Sequence, residues 1–181
     1  EKVSWYISVC ENMGIKVLPP NVNASEAGFA VDGKAIRFGM GGIKSVGDIA
    51  VDSIIKEREK HGFYKDFFDF TKRVDSTKVN KRVVENLIKS GSLDSFGAKR
   101  SQLLAVMDNA LELAAARQND LASGQIGLFG EEEVETMDSM MLPNVPELPT
   151  LELLRLEKEL IGFYVTGHPL DAYRETLKHL T

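Results

Sequence analysis

Cysteine, histidine and tryptophan are scarce here: one Cys, three His and one Trp in 181 residues. The lone Cys10 excludes an internal disulfide and any metal site built on paired thiolates. His61, His168 and His179 are too scattered to pair, and His168 in a Gly-His-Pro turn reads as structural. No apolar run approaches the ~20 residues that a membrane-spanning helix needs. The first residues, Glu1-Lys2-Val3-Ser4, carry neither an initiating Met nor a signal peptide, so the expectation is a piece of a larger protein. No membrane partner is expected, and a reducing cytoplasm is the expected location. An acid constellation for metal-assisted chemistry is also missing. Asp66 and Asp69, three apart among aromatics, are expected to cap or solvate a helix.

What is present is an ordinary globular balance, 43% hydrophobic and 27% charged. The net charge of −5 is unevenly spread. Residues 1–100 carry 17 Lys/Arg against 13 Asp/Glu, and residues 101–181 carry 5 against 14. Residues 72–100 hold 8 basic side chains to 3 acidic, so the front half can meet phosphate while the back half repels it.

Gly39-Met40-Gly41-Gly42-Ile43-Lys44-Ser45-Val46-Gly47-Asp48 is the most informative stretch. It predicts a tight Ser-Val-Gly hairpin opening directly into an amphipathic helix that starts at Asp48. Free N–H groups and a positive helix end beside a bare glycine suit a phosphate oxygen. A phosphate loop of the Walker kind needs Gly directly before Lys-Ser, where Ile43 stands. A dinucleotide fingerprint needs a buried strand before the glycines. Taken alone, the motif is either a helix-hairpin-helix phosphate clamp or a glycine-rich connector between packed helices.

Elsewhere the pattern predicts a helix over 1–13 and a short strand at Ile15–Leu18. A β-hairpin follows, turning on Asp32-Gly33-Lys34. The aromatic run 63–70 reads as core filling. A helix from about Lys78 ends at Gly91, and the small-residue turn Ser90–Gly97 leads into a long helix from about Lys99 to Ala122. Helix, hairpin and helix thus occur twice, and two hairpins side by side could hold two phosphates. Residues 123–149 read as a flexible acidic linker with three prolines. Helix returns at Thr150, with Leu151 and Leu154 inward and Glu152 and Glu157 outward. In the linker, Gln125-Ile126-Gly127-Leu128-Phe129 sets two large hydrophobes where nothing need bury them. Such a peptide can insert Leu and Phe into a partner's apolar pocket, or fold back on a neighbouring helix.

The run Gly14–Asn23, the Ile36–Gly47 stretch, Asn80-Lys81-Arg82 with Leu87-Ile88-Lys89, and Glu157–Leu170 occur together and in order. In these the chain resembles the alpha subunit of bacterial DNA polymerase III, the C-family polymerases. The resemblance implies a mainly α fold, a tandem helix-hairpin-helix with a small β-hairpin near the N-terminus. Residues 1–35 would be the tail of the fingers region, 36–115 the tandem DNA-binding domain and 116–149 the linker. Residues 150–181 would lead toward an oligonucleotide-binding barrel.

It further implies a parent DNA-directed DNA polymerase that needs Mg²⁺, with this segment non-catalytic and carrying no cofactor. The expected partners are double-stranded DNA, the β sliding clamp and other replicase subunits. Lys44, Ser45, Val46, Gly47, Lys81, Arg82 and Lys89 would contact DNA, and Gln125, Ile126, Gly127, Leu128 and Phe129 would bind the clamp. Where the family commonly has glycine, this chain has Ser45. The competing class is a helical protein-interaction scaffold with no direct DNA contact.

Overall fold

A computed structural model describes residues 2–123 and 141–169. Among them are six α-helices: α1 (Lys2–Asn12), α2 (Asp48–His61), α3 (Phe67–Arg73), α4 (Lys81–Lys89), α5 (Arg100–Ser123) and α6 (Thr150–Leu160). Single 3₁₀ turns occur at Met40–Gly42 and Asp94–Phe96. The fold is mainly helical, as the periodicity predicts.

A small sheet sits near the N-terminus. β2 (Ala30–Asp32) pairs antiparallel with β3 (Ala35–Arg37), placing Val31 opposite Ile36. The expected hairpin forms, with Gly33-Lys34 as its two-residue turn and Gly33 at φ 62 in the first position. β1 (Val17–Leu18) runs parallel on the other side of β3, giving the order β1-β3-β2.

One hydrophobic cluster joins distant parts of the chain. Val22, Phe38, Met40 and Ile54 meet Phe67, Phe70, Leu87, Ile88 and Leu103, and Leu160 and Ile161 close the same cluster. The aromatic run is therefore core, except that Phe63 is exposed. Asp66 caps α3 by accepting from the Asp69 amide, as its position predicts.

The Pro-Asn-Val-Asn loop braces this core with polar contacts. Asn23 donates to the Tyr64 carbonyl at 2.8 Å and accepts from the Tyr64 amide at 2.9 Å. Buried Arg58 donates to the carbonyls of Val22 and Ser25, and the Ser25 hydroxyl donates to Phe38 O. Much of the Gly39–Gly42 run serves close packing as well. A Cβ at Gly39 would collide with the Gly28 backbone, and one at Gly42 would lie 2.7 Å from the Phe38 ring. The Met40 and Gly41 amides are taken by the carbonyls of Glu26 and Ala27.

Three details depart from the pattern. The N-cap of α2 is Gly47, and Asp48 is its first helical residue, where its charge complements the helix dipole. On α6, Leu151 is exposed and Glu157 is fully buried, the reverse of the amphipathic expectation. The cause is Arg100, which draws the Glu157 carboxylate inward.

Candidate nucleic-acid interface

The first hairpin is a four-residue turn, closed by the Val46 amide donating to the Ile43 carbonyl at 3.1 Å. Such a turn with positive φ at its third residue is of type II, a position that favours glycine. Here Ser45 occupies it at φ 62, the one non-glycine residue with positive φ among those described. Ile43 and Val46 point into the core, while Lys44, Ser45 and Gly47 are exposed.

The amides of this corner have different fates. Val46 spends its own in closing the turn, and Lys44 donates to the Leu160 carbonyl at 2.8 Å. Among the described residues, the Ser45 and Gly47 amides meet no acceptor. A Cβ at Gly47 would meet nothing within 4 Å. Two open N–H groups thus sit at the N-terminus of the 14-residue α2, beside free space. That arrangement can receive an anionic oxygen.

The second hairpin, Ser90–Gly97, is closed. Ser92 donates to Leu87 O and Gly91 to Ile88 O, the paired bonds of a Schellman ending with Gly91 at φ 83. Ser90 and Ser92 are buried and share a hydroxyl contact of 2.8 Å. Above Gly91 lies the Arg100 guanidinium, with which a Cβ at that glycine would collide. Arg100 is 2% exposed and Glu157 0%. The guanidinium donates to Asp94 at 2.7 and 3.0 Å, to Glu157 at 2.9 Å and to Lys89 O at 3.2 Å. Burial opposes its charge, but Asp94 and Glu157 outweigh that and keep the guanidinium protonated. The N-terminus of α5 is likewise filled: Glu147 accepts from the Arg100 and Ser101 amides at 2.9 and 3.0 Å. Burial works against the Glu147 charge, yet the amides of Ser101, Leu148 and Arg100 together hold its carboxyl below the usual range.

The expected basic contacts divide between two surfaces. Arg82, Asn86 and Lys89 share one α4 face by their i, i+4, i+7 spacing, and Asn86 reaches Lys44 O at 3.0 Å. Arg82 and Lys89 therefore lie on the α4 face that Asn86 turns to the first hairpin, with Lys89 paired to Glu85. Lys44 itself lies 3.6 Å from Glu159. Lys81 turns the other way and pairs with Asp108 of α5, which raises its pKa. The Gln125–Phe129 peptide lies outside the described residues. Among the described residues no helix is long and apolar enough to cross a membrane, and no group of three acids, histidines or cysteines is placed to hold a metal ion.

Residues 14–103 match the family model of the helix-hairpin-helix motif. The chain is also 43% identical to the DNA polymerase III subunit alpha of Vibrio cholerae, over 100% of its own length and 16% of that relative. It is 42% identical to the subunit of the same name from Borreliella burgdorferi, over 98% of the chain and 16% of the relative. The subunit from Thermus aquaticus gives 42% over 96% of the chain and 14% of the relative. The chain belongs with the DNA polymerase III alpha subunits, as a segment of that family.

Four residues beyond the expected set shape the two hairpins: Asn86, Arg100, Glu147 and Glu157. Each is tied to at least one partner 42 to 57 residues away in sequence. Only a charge pattern hinted at them, since an acidic residue inside an apolar stripe reads as solvated until its partner is known.

Proposed function

We propose that this segment grips the sugar-phosphate backbone of duplex DNA without reading bases, as part of a bacterial replicative DNA polymerase. The open Ser45–Gly47 corner, in a chain that matches the helix-hairpin-helix model, carries the reading. A phosphate oxygen would accept from the Ser45 and Gly47 amides, with Lys44, Arg82 and Lys89 supplying positive potential around it. Such contacts are indifferent to base sequence and weaken as salt rises, because bound cations must be displaced from DNA.

The chain spans about one-sixth of the length of the relatives it matches. Nucleotide addition, its Mg²⁺ ions, the other replicase subunits and a cytoplasmic location are accordingly proposed for the whole protein. Clamp tethering is proposed on the Gln125-Ile126-Gly127-Leu128-Phe129 sequence. Docking there would turn DNA release into rebinding at high local concentration. The scaffold reading draws its support from the second hairpin, whose buried Gly91 and Arg100 make it a connector.

A salt titration of duplex binding separates the two. Binding that falls linearly on a log–log plot, equally for unrelated duplexes, supports the grip; strong preference for one sequence contradicts it. Lys44→Ala should flatten the slope by about 0.9, because one phosphate fewer is neutralised. Replacing Leu128 and Phe129 by Ala should abolish clamp binding and leave direct duplex binding intact. Clamp affinity surviving that change removes the tethering assignment.

A further inference from the structure

We infer that Asn86 is a positioning residue for the phosphate-gripping corner, acting through the backbone of Lys44; the inference rests on the duplex-binding reading. The Ser45 backbone, at φ 62, is in a conformation that L side chains rarely adopt. Strained turns of this kind persist only where the surroundings over-determine them. Lys44, the residue just before, is tied on both sides. Its amide donates to the Leu160 carbonyl at the end of α6, and its carbonyl accepts from the Asn86 carboxamide on α4 at 3.0 Å.

Both backbone groups of the residue that sets the turn are thus held by helices outside the hairpin. With the Lys44 carbonyl held by Asn86, the Ser45 N–H, antiparallel to it across the same trans peptide, is fixed in one direction. Without the Asn86 bond, the Lys44–Ser45 peptide is free to rotate, the strain can relax, and the Ser45 N–H loses its preset direction. Asn86 itself stands on the α4 face between Arg82 and Lys89, with no charge to offer a phosphate. Its removal should therefore change the geometry of the corner and leave the charge around it intact.

The test measures duplex affinity, its salt dependence and thermal stability for the 181-residue chain and its variants. Asn86→Leu keeps the size and removes the donor. It should weaken duplex binding about five-fold, the range of a single hydrogen bond, with the salt slope unchanged and Tm within about 3 °C. Asn86→Gln, which retains the donor, should stay within about two-fold of the unaltered chain. Unchanged affinity in Asn86→Leu overturns the inference, as does a loss that appears only together with a large fall in Tm or is equal in Asn86→Gln. Absence of duplex binding by the unaltered chain removes the functional reading itself, and the positioning role with it. Normal binding by the unaltered chain with an indifferent Asn86→Leu removes the positioning role alone.

Discussion

At the first hairpin, Gly47 has φ −77 and open space where a side chain would go; at the second, Gly91 has φ 83 and the Arg100 guanidinium overhead. The parts are alike, with small residues leading into a helix N-terminus. Their outcomes diverge because of what reaches them from elsewhere. The first receives a carbonyl and a carboxamide that tie down Lys44 and leave its neighbours free. The second receives an arginine that donates to its Lys89 carbonyl and a glutamate carboxylate that accepts from its Arg100 and Ser101 amides. A glycine-bearing turn before a helix is therefore a potential anion site only until the rest of the fold has had its claim on the amides.

The contrast can be broken most severely at Arg100. Arg100→Ala strands the fully buried Glu157 without its cation, which should destabilise the chain by about 3–5 kcal/mol and lower Tm by roughly 10 °C. A melt within a degree or two of the unaltered chain would mean that the second hairpin is not held by this pair. The glycines come next. Gly91→Ala faces both an unfavourable backbone and the guanidinium, for a loss of about 2 kcal/mol or more in denaturant titration. Gly47→Ala should cost less, up to about 1 kcal/mol, since its φ and surroundings admit a methyl group and only the poorer N-cap character of alanine counts against it. It should instead weaken duplex binding, because that methyl group would stand where the phosphate approaches. Equal stability effects at the two glycines would erase the distinction.

Ser45→Gly sharpens the comparison in the other direction. Relieving the positive φ should stabilise by about 0.5–1 kcal/mol, after allowance for the greater freedom of glycine in the unfolded chain. A loss of stability there would show that the serine contributes more than it strains. The smallest effect concerns pH. The Glu147 carboxyl is held below its ordinary value, so its contribution is complete above that value and lost as pH falls through the depressed one. Melting points taken from pH 6 to pH 3 should drop less steeply in Glu147→Gln than in the unaltered chain. Asp75, lowered to about 2 by hydrogen bonds from Thr77 and Lys78, adds an acid dependence that survives in both.

What could be read from the sequence was local. The Asp32-Gly33 turn, the Asp66 cap and the Gly91 helix ending each depend on residues within a few positions, and each has a fixed chemistry. The glycine run was harder. It advertises a phosphate loop, but Gly39 and Gly42 are small because the Gly28 backbone and the Phe38 ring press on them. Of that run, only Gly47 has open space where a side chain would go. The closure of the second hairpin was illegible, since Glu147 and Glu157 lie in a stretch whose charge pattern reads as an exposed helix and its approach. Pairing of β1 with β3 likewise joins residues about twenty positions apart, with no turn signal to announce it.

Glu157 receives more than Arg100: its second oxygen accepts the amides of Val165 and Thr166 at 2.7 and 3.1 Å. One carboxylate therefore staples three stretches of chain that a sequence-based boundary would separate. Trimming the polypeptide before Thr150, the natural place to cut after a proline-rich stretch, would discard the buried one of the two counter-ions of a dehydrated arginine and uncap the bundle from within. A shortened version meant to stay folded should end no earlier than Thr166.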